Sequence, residues 1–291
     1  VLRRVVAGVS TRKYRQSVDE FLRGYGITKS SVSRTWIRAS AKALQEMKER
    51  DLSKLDIAVV MIDGLGFGET TVVVALGVDR TGQKHTLGLW SGATENATVG
   101  TALVEDMIRR GLKTDRRILW VLDGGKGVRT ALERKFGKDN LLVHRCQIHK
   151  MRNVLDYLPE KHHATVRTRL RAAWSMTEYA EAREALTHVE EYLERLNGAA
   201  ASSLREGFED TLTLHRLGIK GPLRTALRST NLVESVISIT RDVTHNVKRC
   251  VKPEMAERWT ATALLEAEKR FRKIRGYGQW PILIEALSGN S

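Results

Sequence analysis

Two aspartates stand where short apolar segments give way to glycine. Asp63 lies in the segment IAVVMIDGLG, and Asp123 lies in RILWVLDGGKG. A carboxylate at the end of a buried strand, beside glycines that leave the backbone open, can present oxygen ligands to a hard cation. Mg²⁺ favours carboxylate oxygens and keeps several waters, so two or three such groups are enough for a site. One Asp-Gly pair alone usually marks a turn, but two at the ends of separate strands indicate a metal site.

Such a site needs a third partner, and Glu234 in the segment STNLVESVISITRDV is the candidate. It lies near the start of a predicted helix. A structural role competes with metal binding, because Asn231 as N-cap and Glu234 at the third helical position would form a capping box. The spacing alone does not choose between these two roles.

Residues 53–150 supply the elements that would position the two aspartates. Apolar runs predict five strands, at 57–66, 70–79, 84–92, 117–123 and 140–146. Helical spacing predicts two helices, one over 96–112 that stops near Gly111 and one over 125–137. The order of three strands, helix, strand, helix, strand favours a mixed α/β sheet with parallel pairings and helices on its faces.

The segments before and after residues 53–150 differ from them in charge and in the spacing of apolar residues. Residues 1–52 are basic and predict a helix capped by Ser10, a glycine turn and a second helix from Thr28 or Ser30. This layout is typical of a helix-turn-helix DNA reader, although a simple helical hairpin is the alternative. Residue spacing further on predicts mainly helices, over 151–228, 231–249 and 254–275.

Composition narrows the class of protein. The 291 residues contain 49 Lys and Arg against 34 Asp and Glu, a formal charge of +15 with an isoelectric point of about 10.0. This excess indicates a polyanionic partner, and nucleic acid is the first candidate. Two cysteines exclude a disulfide-stapled secreted scaffold, and no apolar run approaches the length of a membrane span. Because the chain does not begin with Met, we expect its native N-terminus to lie upstream.

Six ordered motifs carry a family resemblance: MIDGLG, GLWSGATEN, LDGGKG, HRCQIHKMRN, STNLVES and AEKRFRKIRGY. Together they resemble the Mutator-type transposases of bacterial insertion sequences, over roughly residues 5–287. The resemblance implies a ribonuclease H-like fold whose DDE triad is interrupted by an all-helical insertion. By motif match the triad is Asp63, Asp123 and Glu234, and the family's longer N-terminal DNA-binding region is mostly missing.

The resemblance divides the chain into four parts. They are a helix-turn-helix-like remnant at 1–52, the first part of the catalytic core at 53–150, the all-α insertion at 151–228 and the last part of the core at 229–291. The implied activity is cleavage at transposon ends and strand transfer into target DNA. The implied cofactor is a pair of Mg²⁺ or Mn²⁺ ions held by the triad, in a two-metal phosphoryl transfer.

The expected partners are double-stranded DNA, as terminal inverted repeats and as target, and further copies of the chain in a homodimer or larger assembly. The expected location is the bacterial cytoplasm, at the nucleoid. Two other functions stay open. One is a metal-dependent nuclease or resolvase of the same fold, and the other is a catalytically inactive DNA-binding remnant of a transposase.

Cys146 and His149 form a Cys-x-x-His pair directly after the last predicted strand. Zinc would need two more ligands, for which His245 and Cys250 are conceivable. A supporting role for Cys146 and His149 next to the active site is favoured, with core packing as a further alternative.

Basic residues near the predicted strand ends and helices are candidates for contact with DNA, against the alternative that they form a solvated face. They are Arg34, Arg38, Arg145, Lys150, Arg152, Arg241, Lys248 and Arg249.

Overall fold

One five-stranded mixed sheet forms the centre of the computed structural model, which describes residues 28–67, 69–92, 97–244 and 252–289. The strands are β1 (Ile57–Phe67), β2 (Thr70–Asp79), β3 (Lys84–Gly92), β4 (Leu119–Leu122) and β5 (Leu142–Arg145). Their order across the sheet is β3-β2-β1-β4-β5. The first three strands pair antiparallel, whereas β4 and β5 run parallel to β1. The predicted mixed sheet is confirmed.

Helices cover both faces of this sheet. One face packs on α2 (Ala97–Arg109) and α3 (Lys126–Phe136). The helix α2 ends next to Gly111, whose φ of 95° explains the predicted stop. The other face packs mainly on α1 (Lys29–Glu49), α9 (Gly221–Leu227), α10 (Asn231–Thr244), α11 (Pro253–Glu268) and α12 (Trp280–Leu287).

The helices after β5 build an apolar core of their own. They are α4 (Gln147–Leu155), α5 (Glu160–Ser175), α6 (Tyr179–Leu196) and α7 (Gly198–Arg205). Their buried apolar side chains form one cluster that runs from Met151 to Leu212. Leu214, on the short helix α8 (Thr213–Arg216), already packs with the sheet. The predicted helical segment therefore has a separate core, which ends before residue 228.

The helix α1 agrees with the second helix predicted for residues 1–52. Thr28 caps it, accepting a hydrogen bond from the Ser31 N–H at 3.1 Å. Its inner face packs on α11, where the rings of Trp36 and Trp259 lie 4.2 Å apart. The helix predicted from Ser10 lies outside the described residues, so the helix-turn-helix stays a prediction. None of the described helices has both the length and the apolar character that a membrane crossing requires.

One predicted helix is too long. The spacing over 254–275 predicts a continuous helix, but α11 ends at Glu268. The chain then runs in an irregular segment in which the Ile274 N–H donates to the Gly82 carbonyl, at 2.9 Å, and not to a helical partner. Burial of Ile274 against the β2–β3 turn thus overrides the local helical preference.

Lys150, near the start of α4 and close to β5, connects this helix to the end of α7. Its side chain is fully buried, and its ammonium donates to the Ser203 carbonyl at 2.6 Å, to the Glu206 carbonyl and to the Glu206 carboxylate at 2.5 Å. Arg129 on α3 makes a second connection, to Asp210. A buried ammonium needs such acceptors, because an unpaired charge in the interior is costly.

We expect Lys150→Met to weaken this junction. The substitution fits the same space but leaves two carbonyls and a carboxylate without their donor, so the free energy of unfolding should fall by about 2–3 kcal/mol. Urea unfolding of both proteins measures this difference. Lys161→Met, at an exposed position of α5, is the matched control and should change stability by less than about 0.5 kcal/mol. Equal stability of Lys150→Met and the parent chain would contradict the structural role of Lys150.

Candidate active site

The sheet register places Asp63 and Asp123 next to each other. Ile62 on β1 pairs with Leu122, the last residue of the parallel strand β4, so the residues that follow them lie side by side. The predicted strand end is correct for Asp123 but wrong for Asp63, because β1 continues to Phe67 and Asp63 itself pairs with Val74 on β2. On the far side of β4, the Cys146 N–H donates to the Leu122 carbonyl at 2.8 Å. The three neighbouring parallel strands β1, β4 and β5 therefore bring chemically active side chains to one edge of the sheet, the edge formed by the ends of β4 and β5.

The helices α4 and α10 bring two further side chains to this edge. His149 lies in the first turn of α4, and Glu234 lies in the first turn of α10. Asp63, His149 and Glu234 each offer a ligand atom within 4.8 Å of those of the other two. The His149 Nε2 atom is 3.8 Å from the Glu234 Oε1 atom. The structure thus brings together two of the three carboxylates of the predicted triad, with an imidazole between the helices.

Asp123 lies next to this group of three residues but outside it. Its carboxylate accepts a hydrogen bond from the Gly125 N–H at 2.8 Å, and it does not belong to the set of ligand atoms within 4.8 Å. It is close enough to act electrostatically on both Asp63 and His149. Gly124, which follows it, has a φ of 104° and leaves no room for a side chain, because Arg145 packs directly against it.

Thr230 is a site residue that the sequence analysis missed. It is fully buried directly before α10. Its hydroxyl lies 3.3 Å from Glu234 Oε1, 3.4 Å from His149 Nδ1 and 3.7 Å from Cys146 Sγ. Its place in the motif STNLVES does not by itself indicate these contacts. A single hydroxyl therefore links the carboxylate, the imidazole and the thiol.

The capping alternative for Glu234 is wrong. Asn231 is the first residue of the helix, not its cap, and its N–H donates to the Ser229 hydroxyl at 3.4 Å. The Glu234 carboxylate instead faces Thr230 and His149. Its side chain is therefore available to the cluster at the edge of the sheet.

Burial and neighbouring charges shift the pKa values of Asp63 and His149 in this cluster. Burial, reinforced by the neighbouring Asp123 carboxylate, raises the pKa of Asp63 to about 6, although His149, the Gly64 N–H and Thr230 act in the opposite direction. A hydrogen bond with Cys146, together with the charges of Cys146, Asp63 and Asp123, raises the pKa of His149 to about 9 against the effect of burial. The pKa shift of Asp63 comes first from burial and then from Asp123, whereas the shift of His149 comes from Cys146 and from the neighbouring negative charges, which favour a positive partner.

The donor set fits a hard divalent cation. Carboxylate oxygens of Asp63 and Glu234 and a nitrogen of His149 are close enough to share one ion, and carboxylates are the ligands that Mg²⁺ and Mn²⁺ prefer. Burial, and after it the Asp123 carboxylate, raises the pKa of Asp63, and a cation bound beside it would lower that pKa. Asp63, His149 and Glu234 are therefore the described residues that could share one ion, and Asp123 lies beside them.

Cys146 caps the helix α4, which is a different role from that of a zinc ligand. It is buried, and its sulfur accepts the His149 N–H at 3.5 Å as the cap of α4. Burial raises the pKa of the thiol, but hydrogen bonding to His149 and the charge of His149 outweigh it and lower the pKa overall. His245 and Cys250, the other two conceivable zinc ligands, lie outside the described residues. Cys146 and His149 are placed beside the carboxylates.

The predicted DNA-contacting residues fall into three groups. Arg34, Arg38, Arg152 and Arg241 are exposed. Lys248 and Arg249 lie outside the described residues. Arg145 and Lys150 are buried, so neither belongs to a solvated face, and the acceptors of Lys150 already occupy its ammonium.

Arg145 still borders open space. Its guanidinium lines a cavity of about 650 Å³ between the core and the insertion, together with Lys126 and Tyr157. Glu206 lies 3.7 Å away from it. The Arg145 side chain is thus held in place within reach of a molecule that enters this cavity.

A mixed α/β sheet that brings acidic side chains together, in a chain with a formal charge of +15, fits a class of proteins that bind a polyanion. The comparisons with known proteins agree with that class. Residues 1–273 match the model of the family described as "Transposase, Mutator family". The chain belongs to this Mutator family of transposases.

Its curated relatives are transposases of insertion sequences. The chain is 29% identical over 244 residues to the transposase for insertion sequence element IS256 in transposon Tn4001 of Staphylococcus aureus, which covers 80% of this chain and 60% of the relative. It is 26% identical over 281 residues to the transposase for insertion sequence element ISRM5 of Rhizobium meliloti, covering 94% of this chain and 68% of the relative. The chain therefore spans about 60% of the length of the first of these relatives.

We expect the Thr230 hydroxyl to support metal binding. Thr230→Val removes the hydrogen bonds that orient Glu234 and His149, and removal of such outer hydrogen bonds typically weakens metal affinity about 10–100-fold. Titration with Mn²⁺, followed by the rise in melting temperature, measures the affinity. Thr230→Ser should bind Mn²⁺ nearly as the parent chain does, and Thr225→Val, at an exposed position of α9, is the control. Unchanged Mn²⁺ affinity in Thr230→Val would show that this hydroxyl serves packing alone.

Proposed function

We propose that this chain carries the catalytic core of a DDE transposase, which cleaves DNA at transposon ends and joins the freed end to target DNA in a metal-dependent reaction. The observation that carries the proposal is the convergence of Asp63 and Glu234, from distant parts of the sequence, at the edge where Asp123 also emerges. Membership of the Mutator family supports the same activity. The mixed sheet with a helical segment before the glutamate supports the ribonuclease H-like fold.

The proposed cofactor is a pair of Mg²⁺ or Mn²⁺ ions at Asp63, Asp123 and Glu234. When bound, such ions activate a water or a DNA 3′-hydroxyl as nucleophile and stabilise the leaving oxygen. The chain's own contribution is to hold the carboxylates. Asp63 is fixed by the sheet, with the Gly64 N–H donating to it at 2.9 Å, and Glu234 is oriented by Thr230.

His149 would act as a positioning residue in this site. It is 3.8 Å from Glu234 and shares Thr230 with it. Cys146 in turn fixes the first turn of the helix that carries His149. These contacts support a role next to the carboxylates, as favoured by the sequence, and they hold Glu234 toward Asp63 while the substrate approaches.

The substrate must bring phosphates toward a group of acidic side chains. The exposed cations Arg152 and Arg241 follow the site on α4 and α10, and Arg34 and Arg38 project from α1. We assign these four residues, with Arg145 at its cavity, to contacts with the DNA backbone, and Lys248 and Arg249 follow Arg241 in sequence. Such contacts position a duplex without reading its bases.

The partners of the proposed reaction are transposon terminal inverted repeats and target DNA. Because two transposon ends are joined to one target, the proposal includes a homodimer or a larger assembly on DNA. The proposed location is the bacterial nucleoid, where both DNA substrates are found.

The triad assignment is tested by Asp123→Asn and Glu234→Gln. Each substitution keeps the shape of the side chain but removes a charged ligand, so metal-dependent cleavage of transposon-end DNA should fall by at least about 1000-fold, the scale of a lost electrostatic contribution in an active site. DNA affinity and its salt dependence should stay within about twofold, because phosphate contacts set them. Asp139→Asn, at an exposed position, is the matched control and should cleave like the parent chain.

The outcomes also separate the other two functions. Cleavage without joined product, when two ends and a target are supplied, would establish a nuclease or resolvase. DNA binding without cleavage by the parent chain would establish an inactive remnant. Normal cleavage by Asp123→Asn or Glu234→Gln would overturn the triad itself.

A further inference from the structure

A basic segment follows the helix α11 at the end of the sheet away from the carboxylates. It contains five cations in seven residues, Lys269, Arg270, Arg272, Lys273 and Arg275. Two apolar residues anchor it: Ile274 is buried, and the half-buried ring of Phe271 lies 5.4 Å from the Lys84 ammonium. The backbone is also tied to the β2–β3 turn by the hydrogen bond from the Ile274 N–H to Gly82. The apolar side chains thus point inward while the cations face outward.

Few carboxylates lie close to these cations among the described residues. Lys269 and Arg270 share one carboxylate, Glu266, and their side chains remain 67% and 80% exposed. Lys273 lies over the ring of Tyr277, at 5.1 Å. Arg272 and Arg275 are exposed, and neither has a carboxylate within 4.0 Å among the described residues. The segment therefore presents positive charge that the fold itself does not neutralise.

The positive surface continues across the sheet. Beside Gly82, Arg80 forms an ion pair with Asp56 at 3.2 Å, and Asp56 also binds Arg116 at 2.7 Å, just before β4. Arg116 is 55% exposed. Arg116, Arg117 and Lys135 then line a cavity of about 430 Å³. We call the exposed cations Arg116, Arg117, Lys269, Arg270, Arg272, Lys273 and Arg275 the basic edge.

The basic edge is remote from the carboxylates. It borders the start of β1, where Ile57 pairs with Asp79, whereas Asp63 lies six residues further along the same strand. At about 3.3 Å per residue this separation is about 20 Å along the strand. The phosphates that the basic edge would hold are therefore separated from the phosphate at the carboxylates, and they belong to a different segment of the DNA.

The geometry points to the basic edge as a second DNA-binding surface, which holds the phosphate backbone of a duplex segment outside the one being cleaved. The surface presents a row of exposed cations, and duplex DNA, which carries one negative charge per about 1.7 Å of its axis, is the complementary partner. The inference rests on the DNA partner of the proposed function but not on its triad.

Neutralising three cations of the basic edge tests the inference. The variant combines Arg272→Gln, Lys273→Gln and Arg275→Gln, and the control combines Lys161→Gln, Arg171→Gln and Arg195→Gln on exposed positions of the insertion. Both remove the same charge from the full chain. Binding to a linear duplex of several helical turns is measured in EDTA, between about 50 and 200 mM salt, so that no cleavage interferes.

We expect the slope of log affinity against log salt to fall by about 2–3 in the basic-edge variant, at about 0.9 for each phosphate that the variant no longer neutralises, and to stay unchanged in the control. If the triple variant melts at a lower temperature, the pair Arg272→Gln and Arg275→Gln replaces it, with an expected fall of about 2. Unchanged slopes, or equal decreases in variant and control, would overturn the inference while leaving the proposed function intact. Failure of the parent chain to bind DNA would instead contradict both.

Discussion

The burial of neighbouring carboxylates is the constraint on which the site depends. The register of β1 and β4 sets the buried Asp63 beside Asp123, and α10 brings Glu234 to the same place. Burying these groups together has an energetic cost, since burial and, after it, the charge of Asp123 raise the pKa of Asp63. A fold that tolerates such a cluster needs a positive partner, supplied within the chain by His149 and, in the proposed reaction, by divalent metal.

The surrounding structure keeps these groups in place. The sheet fixes the two aspartates, and the helices α4 and α10 meet at Thr230, which joins Cys146, His149 and Glu234. The buried Lys150 connects α4 to the end of α7, and Arg129 on α3 connects the core to Asp210. Because α4 begins at the site and ends in the insertion, its position is set from both sides, and the imidazole that faces Glu234 is positioned with it.

The sequence predicts the sheet well and the site in part. Apolar runs determine the strands locally, so their predicted and observed bounds agree within two residues. Strand ends and motifs indicate the three carboxylates, but they do not indicate Thr230, because its role exists only where α4 and α10 meet. The burial of Lys150 and the early end of α11 escape prediction for the same reason: both depend on contacts between residues far apart in the chain.

The central claim is that Asp63, Asp123 and Glu234 together form a divalent metal site. Anomalous diffraction from crystals of the chain soaked in Mn²⁺ tests it most directly, since it locates the ions without reference to activity. The account predicts Mn²⁺ bound between the carboxylates of Asp63 and Glu234, with Asp123 turned toward the same position. Saturating Mn²⁺ that binds elsewhere and leaves these three carboxylates free of metal would contradict it.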